Sequence, residues 1–153
     1  MTIKKSLVFL TILSILLVNF LPALAETAEE CIQKGITFLK QNKSEEALES
    51  FEKAVELDPS NGDAWHYRGL ALYYMAQDEE AIKAFDKSLE INNKNGDSWY
   101  YKGCSLYMLK RNEEAIACLD KAIEIDPEDA DALYFKGLAL YMLARDKQAI
   151  ECF

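Results

Sequence analysis

The chain has a single histidine, His66, and four cysteines, Cys31, Cys104, Cys118 and Cys152. One imidazole leaves histidine-based acid–base catalysis and multi-histidine metal sites with little to work with. The cysteines form no C-x-x-C pair and no Cys/His spacing suited to zinc or haem. No nucleophile–base pair and no glycine-rich phosphate loop is visible, so neither catalysis nor a cofactor or metal is expected. His66 reads as a groove or stacking residue rather than a ligand. Among 153 residues, 26 Asp and Glu outnumber 17 Lys and Arg, for a net charge of −9. Such a charge disfavours nucleic acid and anionic membrane as partners. Half the residues are hydrophobic and only 6 Gly and 3 Pro occur, which excludes a disordered or collagen-like chain.

The first 25 residues read as a targeting segment. Lys4 and Lys5 precede an apolar run from Leu7 to Leu21, interrupted at Thr11, Ser14 and Asn19. Pro22 and Ala23-Leu24-Ala25 follow, the small-x-small pattern of a signal peptidase site. Cleavage after Ala25 is the expectation, with an uncleaved membrane anchor as its rival. Both readings keep the lysines inside and send the remainder across the membrane, to a secreted or periplasmic location, with the anchor leaving it membrane-bound.

Beyond Ala25 the residues recur at a fixed step. Gly35, Gly69, Gly103 and Gly137 stand 34 apart, as do Ala47, Ala81, Ala115 and Ala149, and Phe51, Phe85, Leu119 and Phe153. Trp65 and Trp99 share the step, and Pro59 and Pro127 are two steps apart. This marks a repeat in which each unit is one supersecondary element. Within a unit the apolar residues Trp65, Gly69, Leu72 and then Ala81, Phe85, Leu89 follow helical spacing, giving two helices. Ser44, Asp78, Asn112 and Asp146 are expected to cap the second helix of each unit. Asp58-Pro59, Asn92-Asn93 and Asp126-Pro127 are expected to stop it. Gly69 should face Ala81, and Gly103 should face Ala115, so that the paired backbones approach closely.

These residues resemble the tetratricopeptide repeat, with its W-x2-L-G-x2-Y…A-x3-F…P pattern. Trp65…Gly69…Ala81…Phe85 and Trp99…Gly103…Ala115…Leu119…Ala122…Pro127 are similar to two such units, and Gly35…Ala47…Phe51…Ala54…Pro59 is similar to a third that lacks the Trp. The expected fold is all-α, an α-solenoid of stacked antiparallel helix pairs. Its units would be 28–61, 62–95, 96–129 and a fourth, 130–153, that stops midway through its second helix. One departure is systematic: the usual Leu before the glycine is basic, at Lys34, Arg68, Lys102 and Lys136.

The resemblance implies that the first helices line a concave surface that takes an extended or helical peptide. On each first helix a stripe is left over beside the packing face. It comprises His66, Leu70, Tyr73 and Tyr74 in the second unit and Tyr100, Cys104, Tyr107 and Met108 in the third. In the fourth it comprises Tyr134, Leu138, Tyr141 and Met142, and in the first Ile32, Ile36, Leu39 and Lys40. Tyrosine offers rigid area with a polar tip and methionine an adaptable surface, which suits a protein or peptide partner. The other reading is that several of these side chains, Leu70, Leu138 and Cys104 among them, pack between units. Glu29, Asp63, Asp97 and Asp131 read either as an acidic rim or as first-turn or cap acids of the first helices. The basic row is expected to pair with acids of the adjacent helix. The stripe lacks the Lys/Asn clamp by which some relatives hold a C-terminal carboxylate. Stacked helices lie about 8–10 Å apart, too far for Cys118 and Cys152 to bridge, so free thiols are expected. The expected function is a non-catalytic interaction scaffold. The alternative is a structural module that self-associates through its uncapped fourth unit.

Overall fold

The computed structural model describes residues 26–153; the segment read as a leader, 1–25, lies outside the described residues. Eight helices follow one another: α1 (Ala28–Lys40), α2 (Ser44–Leu57), α3 (Gly62–Tyr74), α4 (Asp78–Ile91), α5 (Gly96–Met108), α6 (Asn112–Ile125), α7 (Ala130–Met142) and α8 (Asp146–Ile150). They pack as consecutive antiparallel pairs, each pair also touching the next. Among the described residues no helix is long and apolar enough to cross a membrane.

Two kinds of turn alternate, and each has a sequence cause. At the end of every first helix one residue takes a left-handed backbone: Asn42, Ala76, Lys110 and Ala144, with φ between 55° and 60°. The next residue's N–H reaches back six residues inclusive, as in Gln77 to the Leu72 carbonyl (2.9 Å) and Arg111 to the Leu106 carbonyl (2.9 Å). This is a Schellman closure. The residue that completes it is already the cap of the next helix, since the Ala81 N–H bonds the Gln77 carbonyl. The caps are therefore Lys43, Gln77, Arg111 and Arg145, and none supplies a side-chain capping bond to the helix backbone. Ser44, Asp78, Asn112 and Asp146 stand one residue inside, which corrects the capping expected from the sequence: the closure fixes the helix start one position earlier.

The turns after the second helices are built by side chains. Asp58, Asn92 and Asp126 each accept from the N–H two residues on, at 3.0, 3.1 and 3.1 Å. Asn61, Asn95 and Asp129 then cap the following first helices, while Thr27 and Glu30 form a capping box on α1. The tryptophans pin helix to turn: the Trp65 Nε1–H donates to the Pro59 carbonyl (2.9 Å) and the Trp99 Nε1–H to the Asn93 carbonyl (3.0 Å).

The glycines lie under large side chains. A Cβ on Gly69 would come within 2.7 Å of the Phe85 ring, and one on Gly35 within 2.4 Å of Phe51. On Gly103 it would meet Leu119 Cγ at 2.7 Å and the Ala115 carbonyl oxygen at 3.3 Å. The partner expected from the sequence is thus corrected in part. Ala115 is close, but the residue four further on occupies the space the glycine leaves. Phe51, Phe85 and Leu119 are fully buried there.

Candidate functional site

The first helices leave their large side chains open on one face. Tyr74, Met108, Tyr134, Tyr141 and Met142 are exposed, Tyr141 most at 64%. The second helices bury Ala81, Ile82, Phe85 and Leu89 of α4 and expose Glu79, Glu80, Lys83, Lys87 and Glu90. Their exposed large apolar residues are at helix ends: Leu57, Ile91 and Ile125, with Ile150 in α8.

Two hollows open on the face of α1, α3, α5 and α7. The larger, about 620 Å³, is lined by Ile36, Leu39, Lys40, Asn42, Ser44, Tyr67, Leu70 and Tyr74. The second, about 340 Å³, is lined by His66, Tyr67, Leu70, Asp97, Tyr100, Tyr101, Asp129 and Asp131. Tyr67 and Leu70 line both. One hollow is mainly apolar with a single lysine; the other is aromatic and acidic.

The stripe expected from the sequence does not all stand free. His66 is only 7% exposed and Cys104 is fully buried. The burial of His66 corrects its placement as an open groove side chain, whereas the burial of Cys104 matches the other reading, in which it packs between units. His66 lies at the junction of α3, α4 and α5, where its Nδ1 shares a hydrogen bond with Ser98 Oγ (2.8 Å) and Ser98 Oγ another with Ser88 Oγ (3.0 Å). Burial holds its imidazole below the ordinary histidine pKa, against the pull of Asp97 and Asp63. Burial likewise pushes the Cys104 thiol up to about 12, so it behaves as a small apolar residue. All four cysteines are unpaired. Tyr73, Tyr100 and Tyr107 are half-buried. Tyr73 lies against Tyr101 (5.4 Å between ring centres), and Tyr100 and Tyr107 each meet Phe135 edge-on at 5.9 Å. Leu70 and Leu138 are intermediate in burial.

A row that sequence reasoning missed supports this face. Tyr67, Tyr101 and Phe135, again 34 apart, stand one residue beyond the stripe and wedge between units. Tyr67 stacks on Phe51 (5.5 Å, 18°) and Tyr101 on Phe85 (6.2 Å, 15°). Their shared step was a signal available in the sequence. Asp129, which the sequence reading did not single out, caps α7 and lines the acidic hollow.

The charged rows separate by role. Arg68, Lys102 and Lys136 pair with Glu52 (3.3 Å), Asp86 (2.6 Å) and Asp120 (2.7 Å) of the preceding second helix. Arg68 and Lys102 also lie over Trp65 and Trp99. Glu29, Asp63, Asp97 and Asp131 are first-turn acids of the first helices, beside the positive helix end. Asp97 and Asp131 line the acidic hollow as well. Among the described residues no three histidine, cysteine or acidic side chains are grouped to hold a metal ion.

Comparison with known proteins agrees with this architecture. The family described as "TPR repeat" matches residues 35–75 and 103–143, and two described as "Tetratricopeptide repeat" match 62–95 and 84–117. No curated protein matches the chain. Among solved structures, a MamA crystal structure is 25% identical over 88% of this chain and 79% of its own, with a TM-score of 0.81. MamA from Desulfovibrio magneticus RS-1 is 24% identical over 84% of this chain and 72% of its own, at 0.77. The first TPR of Spaghetti (RPAP3), bound to the HSP90 peptide SRMEEVD, is 22% identical over 77% of this chain and 94% of its own, at 0.76. These last two share the fold. With matched segments spanning more than half its length and the helix-pair geometry intact, the chain belongs to the tetratricopeptide repeat family.

Proposed function

We propose that this protein is a non-catalytic scaffold that binds a protein segment along the face of α1, α3, α5 and α7, outside the cytoplasm. The observation that carries the reading is the contrast between the two helix rows: Tyr74, Met108, Tyr134, Tyr141 and Met142 stay exposed on α3, α5 and α7, while charged residues dominate the open side of the second helices. Exposed aromatic and methionine side chains around hollows of 340–620 Å³ provide the anchoring area of a binding face. A relative of the same fold holds a peptide, SRMEEVD. The proposed contact residues are Leu70, Tyr73, Tyr74, Tyr100, Tyr107, Met108, Tyr134, Tyr141 and Met142. His66 contributes through the edge it turns to the acidic hollow, and Cys104 supports Tyr100 from below. The location follows from Lys4, Lys5, the apolar run and Ala23-Leu24-Ala25. Mass spectrometry of the protein from its native cells should find Glu26 as the first residue; an intact Met1 would leave the segment as an anchor.

The test of binding is a peptide selected from a random displayed library, with its affinity then measured by fluorescence polarisation. Replacing Tyr74, Met108 and Tyr141 together by Ser touches no fully buried position. It should weaken that peptide by about 2 kcal/mol or more, as expected for anchor residues, with helical circular dichroism retained. Equal affinity would contradict the reading.

A further inference from the structure

The junction of α3, α4 and α5 is polar where the equivalent junctions are apolar. His66, Ser88 and Ser98 stand where the first unit has Ile32, Ala54 and the following Ala64, and where the third has Tyr100, Ala122 and the following Ala132. All three polar residues are buried and joined by the bonds described above. A repeat could fill this place with a β-branched or aromatic side chain and two alanines, as it does on either side. The trio therefore has a role other than packing. Ser98 holds the imidazole by Nδ1, and among the described residues Nε2 has no hydrogen-bond partner. His66 nonetheless lines the acidic hollow, and Nε2 is not among the fully buried unpartnered atoms, so it is the ring nitrogen open to that hollow.

The acids around the hollow also lack cationic partners. Among the described residues seven ion pairs occur, and none involves Asp97, Asp129 or Asp131. The cations pair elsewhere, with Arg68, Lys102 and Lys136 tied to second-helix acids. Tyr100 and Tyr101 complete the wall. Carboxylates, tyrosine rings and a neutral nitrogen together suit a cation with several N–H donors and a flat apolar surface. They oppose an acidic segment such as the SRMEEVD held by the RPAP3 domain.

We propose that this hollow is the subsite for a basic side chain of the bound segment, a guanidinium or ammonium received by Asp97 and Asp131, with His66 Nε2 as a neutral acceptor beneath it. The proposal rests on the reading of this face as the binding face. An entering cation selects the tautomer in which Nδ1–H donates to Ser98 and Nε2 accepts.

The single histidine makes the test direct. Imidazole ¹⁵N signals of the purified protein are followed while N-acetyl-argininamide, N-acetyl-lysinamide or the neutral N-acetyl-norleucinamide is added. Either cationic probe should move the His66 Nε2 signal saturably, and the neutral one should not; the arginine and lysine arms identify which cation fits. Asp97→Asn with Asp131→Asn should weaken the cationic probe about tenfold or more, leaving the unliganded histidine signal in place. No shift with any probe overturns the proposal, as does an equal shift with norleucinamide. A cation response that survives the double variant overturns it too, reducing those acids to helix-end charges. None of these three outcomes affects the wider binding face, because the selected peptide and the Tyr74, Met108 and Tyr141 variant test that separately. A selected peptide that binds that face without any basic residue also sinks this subsite while leaving the face intact.

Discussion

At the scale of single residues, the buried polar groups carry the sharpest consequences. Replacing His66, Ser88 and Ser98 together by Ile, Ala and Ala copies the first junction, and removing all partners at once leaves nothing unsatisfied. Stability at pH 7.5 should stay within about 1 kcal/mol of wild type or rise, whereas Ser98→Ala alone strands the imidazole and should cost about 1–3 kcal/mol. The trio also sets a pH dependence. Burial keeps the folded His66 pKa below its unfolded value, so the unfolded chain binds more protons and stability rises with pH across the window beneath about 6.5. Urea midpoints should fall as pH drops below that value, and this component should be absent in the triple variant. Asp78 acts in the opposite sense. Its Oδ1 and the Ser105 hydroxyl are buried and meet no partner in hydrogen-bond geometry, and burial raises its carboxyl pKa against the pull of the nearby Ser105 hydroxyl. The native state then holds the proton longer, and stability is lost as pH rises above the ordinary aspartate value near ~4. Asp78→Asn, the residue found at the equivalent Asn112, should add on the order of 1 kcal/mol at neutral pH; no gain in urea midpoint would show the carboxylate to be satisfied. At this scale the sequence was a partial guide. Spacing put His66 and Cys104 on the same stripe as Tyr74, but it carries no measure of depth. For His66, Tyr101 and Ser98 of the neighbouring unit supply the cover.

At the scale of the helices, the 34-residue step reveals both helices of each unit, their packing faces and the glycine that lets them meet. It does not reveal the tight turn between them. That turn is set by a backbone closure any side chain can enter, so Ser44, Asp78, Asn112 and Asp146 were read as caps on chemistry alone. The closure has its own consequence. Ala76 and Ala144 hold a left-handed backbone that costs an L-residue about 1–2 kcal/mol. Ala76→Gly should stabilise by about 0.5–1 kcal/mol after glycine's added chain entropy is subtracted, read from urea midpoints. The helix-interior glycines respond the other way. Gly103→Leu would drive a branched side chain into Leu119 and the Ala115 carbonyl, and should cost about 1–3 kcal/mol or more. A melting temperature equal to wild type would show that α5 and α6 do not meet there.

At the scale of the whole molecule, stability in a stacked array is close to a sum of unit and neighbour terms. The last pair contributes least: α8 has five residues, and Tyr134, Tyr141, Met142 and Phe153 are open. Amides of 130–153 should exchange well before those of 62–125, and uniform exchange would contradict this ranking. The same array aligns the exposed tyrosines and methionines of successive units into one surface, and that alignment is the basis of the functional reading. The most direct test is a crystal structure of the protein with a peptide selected for binding. The peptide should lie across α3, α5 and α7, contacting Tyr74, Met108 and Tyr141, with a basic side chain in the hollow at Asp97 and Asp131. A peptide seated instead on the outer face of α2, α4 and α6 would contradict this reading.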